Sequence, residues 1–335
     1  MSSYGSRLQP DADALYTISG PRAGAPVRAD TRRAMLNVKP IFVNAFARGG
    51  SNIVVNLLLS HPNACYPSGE MQKVFRGGAR SESRWRGVYK RIRYELPLIF
   101  STGHIRFISP WNFAPRRELS VRARRHIDWV LHREKLAARD EQHNRFVREG
   151  VAYTDSQIAR SRLVCKNLNG LILMTDNLAA MYPDATFFGL IRNGLALCEG
   201  YVRRGAQAED CANMYRLLIG KMHEDSRRIE NYHIVRFEEI LRDPMGAASS
   251  LYRSAGLDLA EVDKFRMQLK ATLSHSGEHK LERGRDRQVV WYAKTDLSRH
   301  FRTDVDQIQA AKLSPRDREA FLRIAGDTME MLGYI

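Results

Sequence analysis

The chain has 335 residues, 44% of them hydrophobic, 9% aromatic and 27% charged, a globular profile long enough for one large domain or two modest ones around a buried core. No apolar run can span a bilayer, no apolar stretch near the N-terminus resembles a secretory signal, and Cys65, Cys165, Cys198 and Cys211 form no CxxC pair. Disordered, fibrous, membrane-spanning and disulfide-knotted classes are therefore excluded, structural zinc is disfavoured, and a reducing compartment is expected. The net charge of +16 points to an anionic partner: nucleic acid, an anionic membrane, or a phosphorylated or sulfated ligand.

Residues 1–36 are rich in Gly, Ser, Pro, Ala and Arg without a sustained period and read as a mobile N-terminal arm, with a single domain over 37–335. Lys39 to Phe46 is a buried-strand pattern. It runs into the turn-forming Arg48-Gly-Gly-Ser-Asn52 and then into Ile53–Leu59, read as a helix from the capping serine before it and the His61-Pro62 stop after it. The same rhythm returns in a strand at Arg162–Lys166, a helix from Leu171 to Met181 and a strand at Ala185–Ile191. Helices follow at Leu195–Arg204 and Asp210–Ile229, the second with Cys211, Tyr215, Leu218, Met222 and Ile229 on one face. Tyr232–Phe237 is a further strand ending at a Glu238-Glu239 helix start, and Ser314–Leu332 is a helix with Ser-Pro at its start and Gly333 at its stop. Strands alternating with helices imply an α/β fold: a three-layer sandwich with a central parallel sheet covered on both faces.

Between the first helix and the Arg162 strand, residues 72–148 break the rhythm and carry 19 Lys+Arg against 7 Asp+Glu. Leu119, Ala123, Ile127, Val130 and Leu131 make one amphipathic helix there, and the remainder interleaves cations with Trp85, Tyr89, Tyr94, Phe100, Phe107, Trp111 and Phe113. This basic, mainly helical insertion could bind a nucleic-acid backbone, rest on an anionic membrane, line an acceptor cleft, or be a flap with a solvated face. No recognised nucleic-acid motif is present, which disfavours the first.

A strand that delivers a Gly-rich turn to a helix N-terminus is an anion site, since the N–H groups of Gly49, Gly50, Ser51 and Asn52 can converge on phosphate oxygens beside Arg48. GxxxxGK[ST] is absent, which disfavours a nucleoside triphosphatase of that type; an ordinary tight turn is the alternative. Phe46–Ile53 followed by Asn56–Pro62 resembles the 5′-phosphosulfate loop of the sulfotransferases. Ala185–Asn193 resembles that family's strand running into the arginine of the 3′-phosphate site, Val235–Pro244 its later Arg-Tyr-Glu-Asp-Leu segment, and Met331–Tyr334 its C-terminal end. The order and spacing agree over roughly 39–260 and at the C-terminus, with the basic insertion unmatched.

The resemblance implies transfer of a sulfuryl group from 3′-phosphoadenosine 5′-phosphosulfate (PAPS), a co-substrate, to a hydroxyl or amine, with no metal. Arg48 matches the loop cation that stabilises charge on the leaving phosphate; Lys166 matches a second catalytic lysine, its alternative being a strand-end surface lysine. Arg192 matches the 3′-phosphate ligand. The family's serine eight residues later is here Gly200, followed by the expected Tyr201, so Arg203, Arg204 or the basic Lys280–Arg287 stretch, Arg283 above all, would supply what the missing hydroxyl does not. The Lys-Thr-His element of small-molecule sulfotransferases is also missing. Glu70 resembles the glutamate that follows the His-Pro turn in carbohydrate-type members and is the candidate base, its alternative being a helix N-terminal glutamate. His104, His126 and His132 are further candidates better read as packing residues, and Glu238 reads as structural. A soluble cytoplasmic enzyme acting on a carbohydrate or glycolipid-like acceptor, itself anionic in one reading and with peripheral membrane contact, is expected; the alternative is a non-catalytic nucleotide-, polyanion- or membrane-surface-binding protein on the same scaffold.

Overall fold

Strands buried on both faces need apolar side chains on both, and alternate residues then serve two different cores. A computed structural model, which describes residues 36, 39–77, 84–98, 119–139, 153–269 and 288–335, shows this division. Five parallel strands, β1 (Ile41–Ala45), β2 (Ala64–Cys65), β3 (Arg162–Leu168), β4 (Thr186–Ile191) and β5 (Tyr232–Arg236), lie in the order β2-β3-β1-β4-β5. Ile41, Val43 and Ala45 of β1 join Val164, Phe188 and Leu190 in a core closed by the helices α1 (Ser51–Leu59), Phe237–Arg242 and Pro244–Ala255. Phe42 joins Leu163, Cys165 and Phe187 in the opposite core, closed by Val121–Ala137, Ala208–Arg228 and Pro315–Met331. Sheet and two helical layers make the expected three-layer α/β sandwich. Each large side chain buried in it contributes about 1.5–3 kcal/mol.

The expected elements form with small shifts of boundary. Leu119, Ala123, Ile127, Val130 and Leu131 are all buried, and Ser120 caps their helix by accepting a hydrogen bond from the Ala123 N–H at 3.3 Å. Ser314 caps Pro315–Met331 by accepting from the Asp317 N–H at 3.1 Å, and Gly333 ends that helix in the left-handed region at φ +70°. The continuous helix expected over Leu171–Met181 is instead a 3-10 turn, Asn169–Met174, leading into an α-helix, Thr175–Met181. The Thr175 hydroxyl donates back to the Ile172 carbonyl at 2.6 Å and holds the tighter turn.

An antiparallel pair, β6 (Lys264–Leu269) and β7 (Gln288–Ala293), was not legible. Its marker, Arg266, points inward: it is fully buried, its N–H donates to Ser60 Oγ at 2.8 Å, and its guanidinium donates to Asn56 of α1. Because Asp258 lies against His61 and Arg266 against Ser60 and Asn56, β6 runs back along α1 toward that helix's N-terminus. The stretch between β6 and β7, with Lys280–Arg287 and Arg283, lies outside the described residues. So do Phe100, His104, Phe107, Trp111 and Phe113 of the basic insertion and the arm over residues 1–35. His126 packs against the Trp129 ring with Nε2 3.1 Å from the Tyr94 carbonyl, and burial, with Arg93 nearby, lowers its pKa to about 4. His132 is half-buried on the same helix.

Candidate active site

The strand order places β1 between β3 and β4, so the chain leaves it toward one flank and later the other; the crevice beyond the strand C-termini at such a switch point is where open α/β sheets bind ligands. Register sharpens this: Ala45 pairs with both Leu168 and Leu190, so the three central strands end level. Arg48, Lys166 and Arg192 consequently meet at one edge of the sheet.

Beyond β1 the chain turns through Phe46–Gly50, closed by the Gly49 N–H donating to the Phe46 carbonyl at 3.0 Å. Arg48 (φ +75°) and Gly50 (φ +88°) are both left-handed. At Gly50 only glycine fits, since a Cβ would lie 2.2 Å from the Phe237 ring. Gly50→Ala is expected to cost about 3 kcal/mol from left-handed strain and overpacking together, with part recovered by adding Phe237→Ala. Urea unfolding of both variants checks this, and an unshifted midpoint for the single variant would contradict this loop geometry.

Helix α1 starts with no side-chain cap and no acidic residue in its first turn. Its leading N–H groups and dipole are therefore directed at whatever lies in the crevice, an arrangement suited to an anion. Ser51 is buried at the first helical position, and the next residue, Asn52, joins the loop to its neighbours. The buried Lys166 ammonium donates to Asn52 Oδ1 at 2.7 Å and to Glu70 Oε1 at 3.0 Å. Glu70 does occupy the N-cap of a short helix, Met71–Val74, yet its carboxylate makes no capping bond there and pairs with Lys166 instead. Loop, lysine and carboxylate thus form one hydrogen-bonded chain.

Arg48 holds its side chain in solvent while its carbonyl accepts from Arg192 Nη1 at 2.7 Å. Arg192 is buried, stacked 4.4 Å above the Phe237 ring; its Nε donates to Asp306 Oδ1 at 2.8 Å and Nη2 donates to Asp306 and Gln309 of the helix Val305–Ala311. Its charge is balanced internally while its position braces the loop. Gly200 lies against the loop as well: a Cβ there would stand 3.7 Å from Arg48 Cβ, ordinary contact distance with room for a side chain. Arg203 turns to Glu199 at 2.8 Å, and Arg204 is exposed. Glu238 accepts from the Asn193 N–H at 2.8 Å and the Tyr334 hydroxyl at 2.9 Å, ordering the turn after β4; burial, with the neighbouring Asp306, raises its pKa.

Two features escaped the sequence reading. Asn169, left-handed at φ +51°, accepts from the Ala47 N–H at 2.9 Å and the Tyr201 hydroxyl at 3.1 Å, clamping the loop to β3 and to the helix Gly194–Val202. The usable signal was an asparagine directly after a strand, the residue that most readily enters that conformation after glycine. Beneath the loop, Asn44 Nδ2 donates to Thr175 Oγ1 at 2.9 Å and Tyr232 OH at 3.2 Å while Asn167 donates to Asn44 Oδ1 at 3.0 Å, a buried network tying β1 to β3 and β5. Among the described residues no group of three or more His, Cys, Asp and Glu side chains is placed to hold a metal.

A helix N-terminus with an exposed arginine and a buried lysine can offset negative charge that grows on a leaving phosphate oxygen, and a carboxylate on the lysine can take up a proton. Several solved structures are similar, among them the following three. The sulfotransferase domain of the Synechococcus PCC 7002 olefin synthase is 16% identical over 82% of this chain and 94% of its own, with a TM-score of 0.42. A sulfotransferase of Mycobacterium tuberculosis is 15% identical over 66% of this chain and 68% of its own, at 0.41, and the sulfotransferase domain of the curacin biosynthetic pathway is 13% identical over 87% and 98%, at 0.44. Among curated proteins the chain has no match. The profile of the sulfotransferase family matches residues 40–261, well over half of the chain and all five strands of the main sheet. With that match on the same residues that build the loop and its lysine, the chain belongs to the sulfotransferase family and is a sulfuryl-transferring enzyme.

Proposed function

We propose that the enzyme takes its sulfuryl group from PAPS and passes it to a hydroxyl or amine of a carbohydrate or glycolipid-like acceptor. The observation that carries this reading is the hydrogen-bonded chain Glu70–Lys166–Asn52 at the uncapped start of α1. The donor supplies an activated sulfate on a phosphate leaving group. The N–H groups of Gly49 to Asn52 and the Arg48 guanidinium hold that phosphosulfate; Lys166 and Arg48 offset the charge gathering on the bridging oxygen as its bond to sulfur breaks. Glu70 accepts the proton from the acceptor as the new bond to sulfur forms. A carbohydrate-type acceptor is favoured because Glu70, which resembles the glutamate after the His-Pro turn of carbohydrate-type members, pairs with Lys166 in a chain that lacks the small-molecule enzymes' Lys-Thr-His element, and the basic segment 72–148 supplies the acceptor side, suiting an anionic acceptor. No helix among the described residues is long and apolar enough to cross a membrane; a cytoplasmic enzyme with peripheral membrane contact is our reading.

The 3′-phosphate falls to Arg192, competing with Asp306, with Gly200 where the family has its serine and Arg283 as the further candidate cation. Calorimetric titration with 3′,5′-adenosine bisphosphate against 5′-AMP tests the donor site. A tenfold or larger preference for the bisphosphate is expected, lost in Arg192→Ala; equal binding of the two nucleotides by the unaltered enzyme would remove the PAPS assignment. Gly200→Ser restores a hydroxyl where a Cβ has room, and a hydrogen bond to a charged group is worth ~1.5–3 kcal/mol. The expected gain in bisphosphate affinity is about tenfold or more, in the same titration. Transfer from sulfur-labelled donor onto pooled glycans and glycolipids then tests the acceptor class, and label appearing on neither counts against it.

A further inference from the structure

The helix Arg84–Lys90 and its wider π-helical continuation Arg91–Glu95 reach the core with only one side. Tyr94 and, just beyond, Leu98 are buried, and the Arg93 guanidinium sits 4.3 Å from the centre of the Trp129 ring, fastening this element to Val121–Ala137. The opposite side carries exposed apolar side chains. Trp85, Val88, Tyr89 and Ile92 are 82, 46, 62 and 58% exposed. Their spacing, i, i+3, i+4 and i+7, stacks them into one stripe along the helix. Arg86 and Lys90 follow on one flank of that stripe and Arg91 on the other, with Arg86 and Arg91 exposed.

Two aromatic and two aliphatic side chains held together in water mark a surface that meets something apolar. The charge around them selects the partner. The surrounding segment, residues 72–148, carries 19 cations to 7 acids in a chain of net charge +16, so a second copy of this chain is repelled. A nucleic acid would engage the cations and could stack on Trp85 and Tyr89, but it would leave Val88 and Ile92 against phosphate and water. A bilayer with anionic headgroups accommodates both sets: the stripe enters the acyl boundary, Trp and Tyr sit at headgroup depth, and the flanking cations stay at the charged surface.

We propose that the Trp85–Val88–Tyr89–Ile92 stripe is the face by which this sulfotransferase docks on anionic lipid surfaces, with Arg86, Lys90 and Arg91 supplying the selectivity for negative headgroups. The proposal rests on the peripheral-contact reading above, to which it assigns residues, and it stands apart from the acceptor's identity.

Sedimentation of the full-length enzyme with vesicles of phosphatidylcholine alone and of phosphatidylcholine mixed with phosphatidylglycerol tests it. Binding to the mixed vesicles at least tenfold stronger than to the neutral ones is expected, weakening as salt is raised. Each cation at an anionic surface strengthens binding about fivefold, so Arg86→Glu with Arg91→Glu should weaken it more than about tenfold; Trp85→Ser with Ile92→Ser should do the same by removing the inserted groups. All four positions are exposed, so both double variants should match the unaltered enzyme in circular dichroism and in bisphosphate titration. Equal binding to both vesicle types, undiminished binding by either folded double variant, or capture by heparin and single-stranded DNA with none by vesicles would each overturn the proposal. The bisphosphate titration answers separately for the donor site, so failure of docking and failure of the catalytic reading are told apart.

Discussion

Replacing Arg48 by glycine is expected to reduce sulfuryl transfer by about 10²- to 10³-fold while leaving the protein as stable as before or slightly more so. The two effects separate because the two halves of this residue do different things. The guanidinium lies in solvent at the loop mouth, where its charge is available to the donor's phosphosulfate. The backbone adopts φ +75°, which costs a non-glycine residue about 1 kcal/mol or more, and its carbonyl receives the Arg192 hydrogen bond at 2.7 Å. Glycine keeps the carbonyl and removes the strain, with greater freedom of the unfolded chain offsetting part of the gain. Steady-state kinetics alongside urea unfolding reads both quantities. Transfer within a few-fold of the unaltered enzyme would remove Arg48 from the reaction; a large loss of stability would instead mean that the loop depends on its side chain.

Lys166 and Glu70 carry the second large effect. Lys166→Met keeps the stem and removes the charge, and transfer is expected to fall about 10²- to 10³-fold, mainly in kcat. The Glu70 carboxylate left behind is 27% exposed and can rehydrate. Glu70→Gln separates the two roles open to that residue. An amide oxygen can still accept from Lys166, so if Glu70 served only to aim the lysine, this variant would work nearly normally. As the proton acceptor its loss is expected to cost about 10²-fold or more and to abolish the acid limb of the kcat/KM profile. A profile that keeps its acid limb in Glu70→Gln would assign the base elsewhere.

Much of this site was legible before folding because it is contiguous. Arg48 to Asn52 adjoin in sequence, and a strand, a Gly-rich turn and a helix leave their apolar periods on either side of it. Glu70 and Lys166 were legible only as separate candidates. They lie 96 positions apart, and which carboxylate meets which ammonium depends on β3 lying beside β1 with Lys166 opposite Val43. Arg192 and Asp306, 114 positions apart, are a stronger case: the arginine was visible and its buried counter-charge was not. Asn169 and Arg266 were passed over because a lone polar residue at a strand's end, or within a strand, looks like surface until its burial is known.

What the sequence determined by itself is local and periodic: the alternation of strands and helices, the Gly-rich turn between the first strand and its helix, the charge gathered in residues 72–148, and the cap of Ser314. These follow from backbone conformation and side-chain spacing within a few residues, where the chain's own geometry sets the neighbours. What only the tertiary structure decided is which distant groups share a hydrogen bond or an ion pair, Lys166 with Asn52 and Glu70, Arg192 with Asp306 and the Arg48 carbonyl, Asn169 with the loop, and that the Trp85 to Ile92 stripe is exposed. Strand order, register and burial set those distances, and an ammonium or guanidinium changes its role according to whether it is solvated or enclosed with a partner.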